Sequence, residues 1–169
     1  MAKTKPCIVR CGGVAYSVNT MKTIIVPVDL SAVATLVCDT ACELARLMEA
    51  RLLLLHVVQP PPITVTEIYA LDAGQAEEML VAAENAGTNR LRELAARCEQ
   101  RGVAVRTLHR VGLPVPEILA RAEKADYIVM GSHGHGAMYD LLVGSTTHGV
   151  LKKAPCPVVV VPQKRPAGT

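Results

Sequence analysis

Gly131-Ser132-His133-Gly134-His135-Gly136, followed by Gly144-Ser145-Thr146-Thr147, packs glycines, hydroxyls and two imidazoles into one short segment. Its spacing is G-x2-G-x9-G-S. Gly131 and Gly134 remove side chains where a loop leaves a strand, so backbone amides can approach an anion. Gly144 and Ser145 supply a second amide and hydroxyl set, and Thr146 and Thr147 add two more hydroxyls. Inward-facing donors of this kind bind phosphate without a full positive charge. The same residues also suit a loop whose small side chains only serve helix packing, and the chemistry alone leaves both open. Two other phosphate loops are excluded. No lysine follows a G-x-x-x-x-G spacing, and the glycines do not fall as G-x-G-x-x-G behind the first strand.

Other reactive side chains are more scattered. Asp29 closes an apolar run, where it can hold ligand hydroxyls or assist the start of the next helix. His56 lies inside an apolar run and reads as a satisfied structural histidine, His135 as a loop histidine, and His148 as a helix-surface one. Of the 6 cysteines, Cys7 and Cys11 have a metal-like spacing, but no second pair or histidine follows at ligand distance. Cys38 and Cys42, one helical turn apart, read as small core side chains. Cys156, between two prolines, is either packed or reactive.

These residues need a frame, and hydrophobic periodicity provides one. TIIVPVD (23–29) reads as a strand ended by Asp29. Val33, Val37, Ala41, Leu44 and Met48 then recur as one helix face, with Ser31 as its cap. RLLLLHVV (51–58) is a nearly continuous apolar strand, as a sheet covered on both faces requires. Pro60, Pro61 and Pro62 open a loop to about Ala73, and a long helix follows over 73–100, where Gly87 marks close packing. Further spans are a strand over 103–109, a helix over 117–124, a strand over 126–131, a helix over 137–153 interrupted at Gly144, and VVVV at 158–161. Strands alternating with helices imply an open, mostly parallel sheet with helices on both faces. Ligands of such sheets sit outside the carboxyl ends of the strands, where the strand order reverses.

Composition narrows the function classes. A chain of 169 residues can bury a core without staples, and 50% apolar with 20% charged residues excludes general disorder. No run is long enough to span a bilayer, and residues 1–20 lack a long apolar stretch, so the cytoplasm is the expected compartment. The net charge of +3 comes from the ends: without Lys3, Lys5, Arg10, Lys164 and Arg165, the 15 acidic residues outnumber the basic ones. With no Trp, no Phe and 4 Tyr, a nucleic-acid partner is not expected.

Taken together, IIVPVDLS, LLLLHVV, VGLPVPEILARAEKADYIVMGSHGHG and GSTTHGVLKKAPCPVVVVP resemble the universal stress protein family, and within it the subgroup that binds ATP. The resemblance covers residues 22–162. It implies a Rossmann-like, five-stranded parallel sheet of order 3-2-1-4-5, and a homodimer. The implied domain is 21–162, between an N-terminal extension of uncertain structure (1–20) and a flexible tail (163–169). A nucleotide, ATP with Mg²⁺, would lie over the ends of the first and fourth strands. Pro27, Val28 and Asp29 match the first-strand end, where Asp29 would accept hydrogen bonds from ribose hydroxyls or the adenine edge. Val57 matches the position bordering adenine, and Met130 and Gly131 the fourth-strand end. Ser132, His133 and Gly134 match the phosphate loop, and Gly144, Ser145, Thr146 and Thr147 its far side.

Residue by residue, the bland alternatives remain: Val57 and Met130 also suit a core. Phosphoryl transfer needs a metal bridge and a group that orients the attack. Asp29 and the loop hydroxyls suit Mg²⁺, but no carboxylate is placed to activate water, and Asp140 is expected at the solvent. No catalytic residue is assigned. The expectation is a nucleotide-dependent regulator or sensor in stress response, with slow hydrolysis or none and an unknown protein partner. The alternatives are a dimer that binds partners but no nucleotide, a slow ATP-hydrolysing enzyme, and an enzyme with a second substrate under the 60–73 loop. The uncharged run 158–161 is expected at a sheet edge, pairing with a second copy, and lysines at Val159 and Val161 are expected to split that dimer.

Overall fold

The computed structural model describes residues 7–11, 14–18, 21–31, 33–59, 73–133 and 143–162. Gly134, His135, Gly136, Asp140, the 60–72 stretch and the 163–169 tail lie outside these residues. The N-terminal extension contains a hairpin, β1 (Cys7–Cys11) antiparallel to β2 (Val14–Val18). The remaining elements are β3 (Thr23–Pro27), α1 (Val33–Met48), β4 (Arg51–Val58), α2 (Ala73–Gln100) and β5 (Val105–Val111), then α3 (Pro114–Ala122), β6 (Tyr127–Gly131), α4 (Ser145–Lys153) and β7 (Val158–Val161). The larger sheet runs β5-β4-β3-β6-β7 with every neighbouring pair parallel, which is 3-2-1-4-5 counted from β3.

Central strands covered on both faces must be apolar throughout, and Ile24, Ile25, Val26, Ile128 and Val129 are all fully buried. Alternate residues feed two cores. Ile24, Val26, Leu52, Leu54 and Val129 pack with Val37, Ala41, Leu91 and Leu94 of α1 and α2. On the other face Ile25, Leu55, Ile128 and Met130 pack with Ile118, Ala122 and Val150 of α3 and α4. Cys38, Cys42 and Cys98 are buried in the first of these cores, as small core side chains. Burial pushes the Cys42 thiol up to about 12, and contact with Cys38 raises Cys98.

Element boundaries depart from the periodicity at three places. The third strand of the sheet runs 105–111 rather than 103–109, because Val103 still closes α2 onto the Cys98 carbonyl and β5 follows β4 out to Val58. Helix α3 begins at Pro114 rather than at 117. Proline is compatible with a first helical turn, where its missing N–H has no partner to lose. Helix α4 begins at Ser145, and Gly144 is its extended N-cap rather than an interruption.

Asp39 of α1 ties the two helices on this face together. It accepts from Arg97 Nε and Nη2, both at 2.8 Å, and Arg101 Nη1 stands 3.0 Å away. The Arg97 hydrogen bond holds the Asp39 carboxyl below its ordinary 3.8. A carboxylate lowered in the folded state stabilises above its unfolded value, and that contribution is lost as pH falls through the folded value. Melting curves should therefore show Asp39→Asn less stable than the parent near neutrality, with the gap closing along the acid limb.

Candidate functional site

The site lies where the strand order reverses, at the carboxyl ends of the adjacent strands β3 and β6. Pro27 is the last residue of β3, and Val28 is buried beyond it. There the chain turns sharply. Asp29 Oδ1 accepts from the Ser31 amide at 3.1 Å and the Ser31 hydroxyl at 2.7 Å, and Leu30 between them has φ +64°. Ser31 Oγ is thus turned to Asp29 and not to a helix amide, which corrects its reading as the cap of α1. A leucine in the left-handed region is strained, and such strain is kept where surrounding structure fixes it. Its side chain packs against the α1 core.

On the β6 side, Met130 is buried in the α3–α4 core and Gly131 ends the strand. The Ser132 amide extends the ladder to the Val161 carbonyl at 2.8 Å, and Ser132 Oγ lies 3.0 Å from His133 Nδ1. The described parts of the two glycine sets, Gly131 to His133 and Gly144 to Thr147, meet. The Gly144 amide donates to the Ser132 carbonyl at 2.8 Å, and Thr147 Oγ1 donates to the Gly131 carbonyl at 2.8 Å. A Cβ at Gly144 would stand 3.3 Å from the Ser132 carbonyl oxygen, and one at Gly131 3.2 Å from that of His133. A side chain at either position would have to push these backbones apart by a few tenths of an ångström.

These bonds reassign two donors. The Gly144 amide and the buried Thr147 hydroxyl are spent inside the protein and hold α4 against β6. What the arrangement offers an anion is the first turn of α4. The first return bond of that helix runs from the His148 amide to the Gly144 carbonyl, so the amides of Ser145, Thr146 and Thr147 come before any intrahelical partner. No acidic side chain stands in this turn to oppose a negative ligand, and Ser145 is exposed. Val57 is half-buried against the α3–α4 core at the end of β4. His148 is exposed on α4, as expected of it.

Sequence reasoning had no role at this site for His56, which is buried and donates from Nδ1 to the Val28 carbonyl at 2.9 Å. Its place inside an apolar strand was the only available signal, and the partner could not be inferred without the β3–β4 register.

Residues 20–162 match the Universal stress protein family. The chain belongs to that family. Universal stress protein MJ0577 of Methanocaldococcus jannaschii is 32% identical over 155 residues, which cover 85% of this chain and 96% of that one. A solved structure of MJ0577 superimposes with a TM-score of 0.69 at 31% identity, covering 86% of this chain and 98% of the other. Universal stress protein UspA from Lactobacillus plantarum gives 0.65 at 27% identity, covering 85% and 99%. A universal stress protein in complex with cAMP gives 0.58 at 24% identity, covering 83% and 96%, a likeness of fold alone. Among the described residues of this universal stress protein, no helix is long and apolar enough to cross a membrane.

Proposed function

We propose that this universal stress protein binds ATP with Mg²⁺ and acts in the cytoplasm as a nucleotide-dependent regulator or sensor in stress response. The observation that carries the proposal is that the Asp29 turn follows β3 and the first-turn amides of α4, tied to Gly131 and Ser132, follow the adjacent β6, at the same switch-point end of the sheet. Adenine lies beside Val57, with Met130 beneath the sugar or base, and the ribose hydroxyls meet Asp29 after Pro27 and Val28. The phosphates reach the amides of Ser145, Thr146 and Thr147 and the loop through Gly131, Ser132, His133 and Gly134, with Gly144 as the hinge of the cradle. Mg²⁺ would arrive on the phosphates, since no group of three His, Cys, Asp or Glu among the described residues is placed to hold a metal unaided. The working unit is the 21–162 domain as a homodimer through β7, with a protein partner still to be found.

One observation favours a second reading. Gly131 and Gly144 are accounted for by packing, and the cradle is bonded shut at 144–132 and 147–131, so the same segment would also suit a partner-binding dimer that holds no nucleotide. Nucleotide carried through purification separates the two: ultraviolet absorbance of the denatured supernatant, followed by chromatography, should reveal an adenine nucleotide. Absence of any, together with no heat on titrating ATP and Mg²⁺, would leave the second reading. Because the first turn of α4 carries no acidic side chain to activate water, phosphate release by pure protein should fall far below about 10 s⁻¹. Rapid turnover abolished by one change in the loop would make the chain an enzyme.

A further inference from the structure

Strands β3 and β4 pair from Thr23–Arg51 to Pro27–Leu55, and the Val28 amide still reaches the Leu55 carbonyl at 2.9 Å. In a parallel ladder the next rung would bring the Val57 amide, on the same side of β4 as that of Leu55, to the Val28 carbonyl. That rung is not formed. The Val28 carbonyl is taken by His56 Nδ1 at 2.9 Å, from a side chain on the α2-facing side of β4. A carbonyl only accepts, so Nδ1 carries the proton. An imidazole reaches farther from its strand than a backbone amide does. β3 can thus part from the sheet at Val28 with its last buried carbonyl satisfied, where an unpaired one would be costly. The Val57 amide is left on the β3 side of β4 without that rung, one residue from the Asp29 turn in the β3 register.

The imidazole is itself held in place. His109, its register partner on β5, lies with its ring 5.2 Å away and tilted by 57°. Gly87 brings α2 so close that a Cβ there would stand 3.4 Å from both rings. The ring nitrogens of His109 are buried without hydrogen-bond partners, so His109 acts on His56 by packing.

We infer that His56 is a positioning residue for the nucleotide: its Nδ1–H holds the end of β3 in the parted position that aims Asp29 and bares the Val57 backbone. This rests on the proposed nucleotide site. The test compares His56→Asn, whose side-chain N–H can stand where Nδ1 does, with His56→Gln, whose N–H falls nearer Nε2, and with His56→Leu. In calorimetric titration with ATP and Mg²⁺, His56→Asn should bind within about twofold of the parent, and the other two about tenfold more weakly. Equal losses in all three, tracking only their melting temperatures, would mean a merely structural role and overturn the inference.

Two readouts need no nucleotide. Nitrogen NMR of the parent should show His56 as the Nδ1–H tautomer, and the Nε2–H tautomer would overturn the inference even if His56→Leu fails to fold. Amide exchange at 28–31 should quicken in His56→Gln but not in His56→Asn. A parent that binds no ATP would overturn the proposed function and leave exchange and tautomer to decide the role of His56. A parent that binds ATP beside a His56→Leu chain of full affinity would overturn this inference alone.

Discussion

A Gly144→Val chain is expected to fold with reduced stability and to bind ATP at least about tenfold more weakly than the parent. Gly144 has ordinary torsions, φ −66° and ψ 157°, so conformational freedom is not what valine would remove. Room is. Its Cβ would already stand 3.3 Å from the Ser132 carbonyl oxygen and 3.5 Å from the His133 Cα, and the added methyls need more space than that. The Gly144–Ser132 bond must lengthen, and the first turn of α4 moves off the end of β6 with it. Overpacking of this kind costs about 1–3 kcal/mol in stability. Each amide displaced from a charged phosphate forfeits roughly 1.5–3 kcal/mol of binding, so one misplaced amide already accounts for the tenfold loss. Asp29→Ala should cost about 1–3 kcal/mol of nucleotide affinity through lost hydrogen bonds. Calorimetry with parallel melting curves measures both variants. Unchanged ATP affinity in a folded Gly144→Val chain would remove the site from this end of the sheet.

Light scattering at micromolar concentration should give the parent twice its 18.0 kDa chain mass, and Val160→Pro a single chain mass. β7 lies at the edge of the sheet, beyond β6. Its bonds to β6 involve the Pro157 and Val161 carbonyls, in the register Ile128–Val158 to Gly131–Val161. The amides and carbonyls of Val158 and Val160 consequently point to the open edge. A bare apolar edge invites pairing, and a two-fold copy closes it. Proline at 160 removes one outward donor and no bond to β6, so it acts on the dimer and spares the fold. The lysine pair suggested by the sequence alone is the wrong test. Val161 is buried and Val159 packs against the α1 core, so charges there would damage the monomer first. A parent of single-chain mass would show no stable dimer, and a dimeric Val160→Pro would place the interface elsewhere.

The difference between those two tests illustrates what was legible in the sequence. Apolar runs such as 23–29 and 51–58 located the central strands, and the family resemblance supplied the strand order that periodicity left open. Which valines of 158–161 face inward depends on the phase of β7 against β6, and four identical residues carry no phase signal. The start of α3 was hidden for a related reason: Pro114 and Pro116 look like turn residues until a first helical turn accommodates them. At the site, the described residues named from the sequence fall at the ends of the adjacent strands β3 and β6, but their hydrogen-bond assignments were not readable. Thr147 and Gly144 looked like ligand donors because their partners, the carbonyls of Gly131 and Ser132, belong to the backbone and leave no mark in residue types. His56 and His109 are far apart in sequence and adjacent only through the β4–β5 register.

Leu30 is a point where sequence drift has two incompatible ways to succeed. At φ +64° a leucine carries roughly 1–2 kcal/mol of backbone strain. Glycine would release it, but only by giving up a side chain that anchors the turn to the α1 core. One solution is relaxed and loosely tethered, the other strained and fixed. Selection for a relaxed and mobile turn would pull this position toward glycine, and selection for a carboxylate held at one bearing would pull it back to leucine. The residue found at 30 in a descendant chain is thus a record of which demand prevailed.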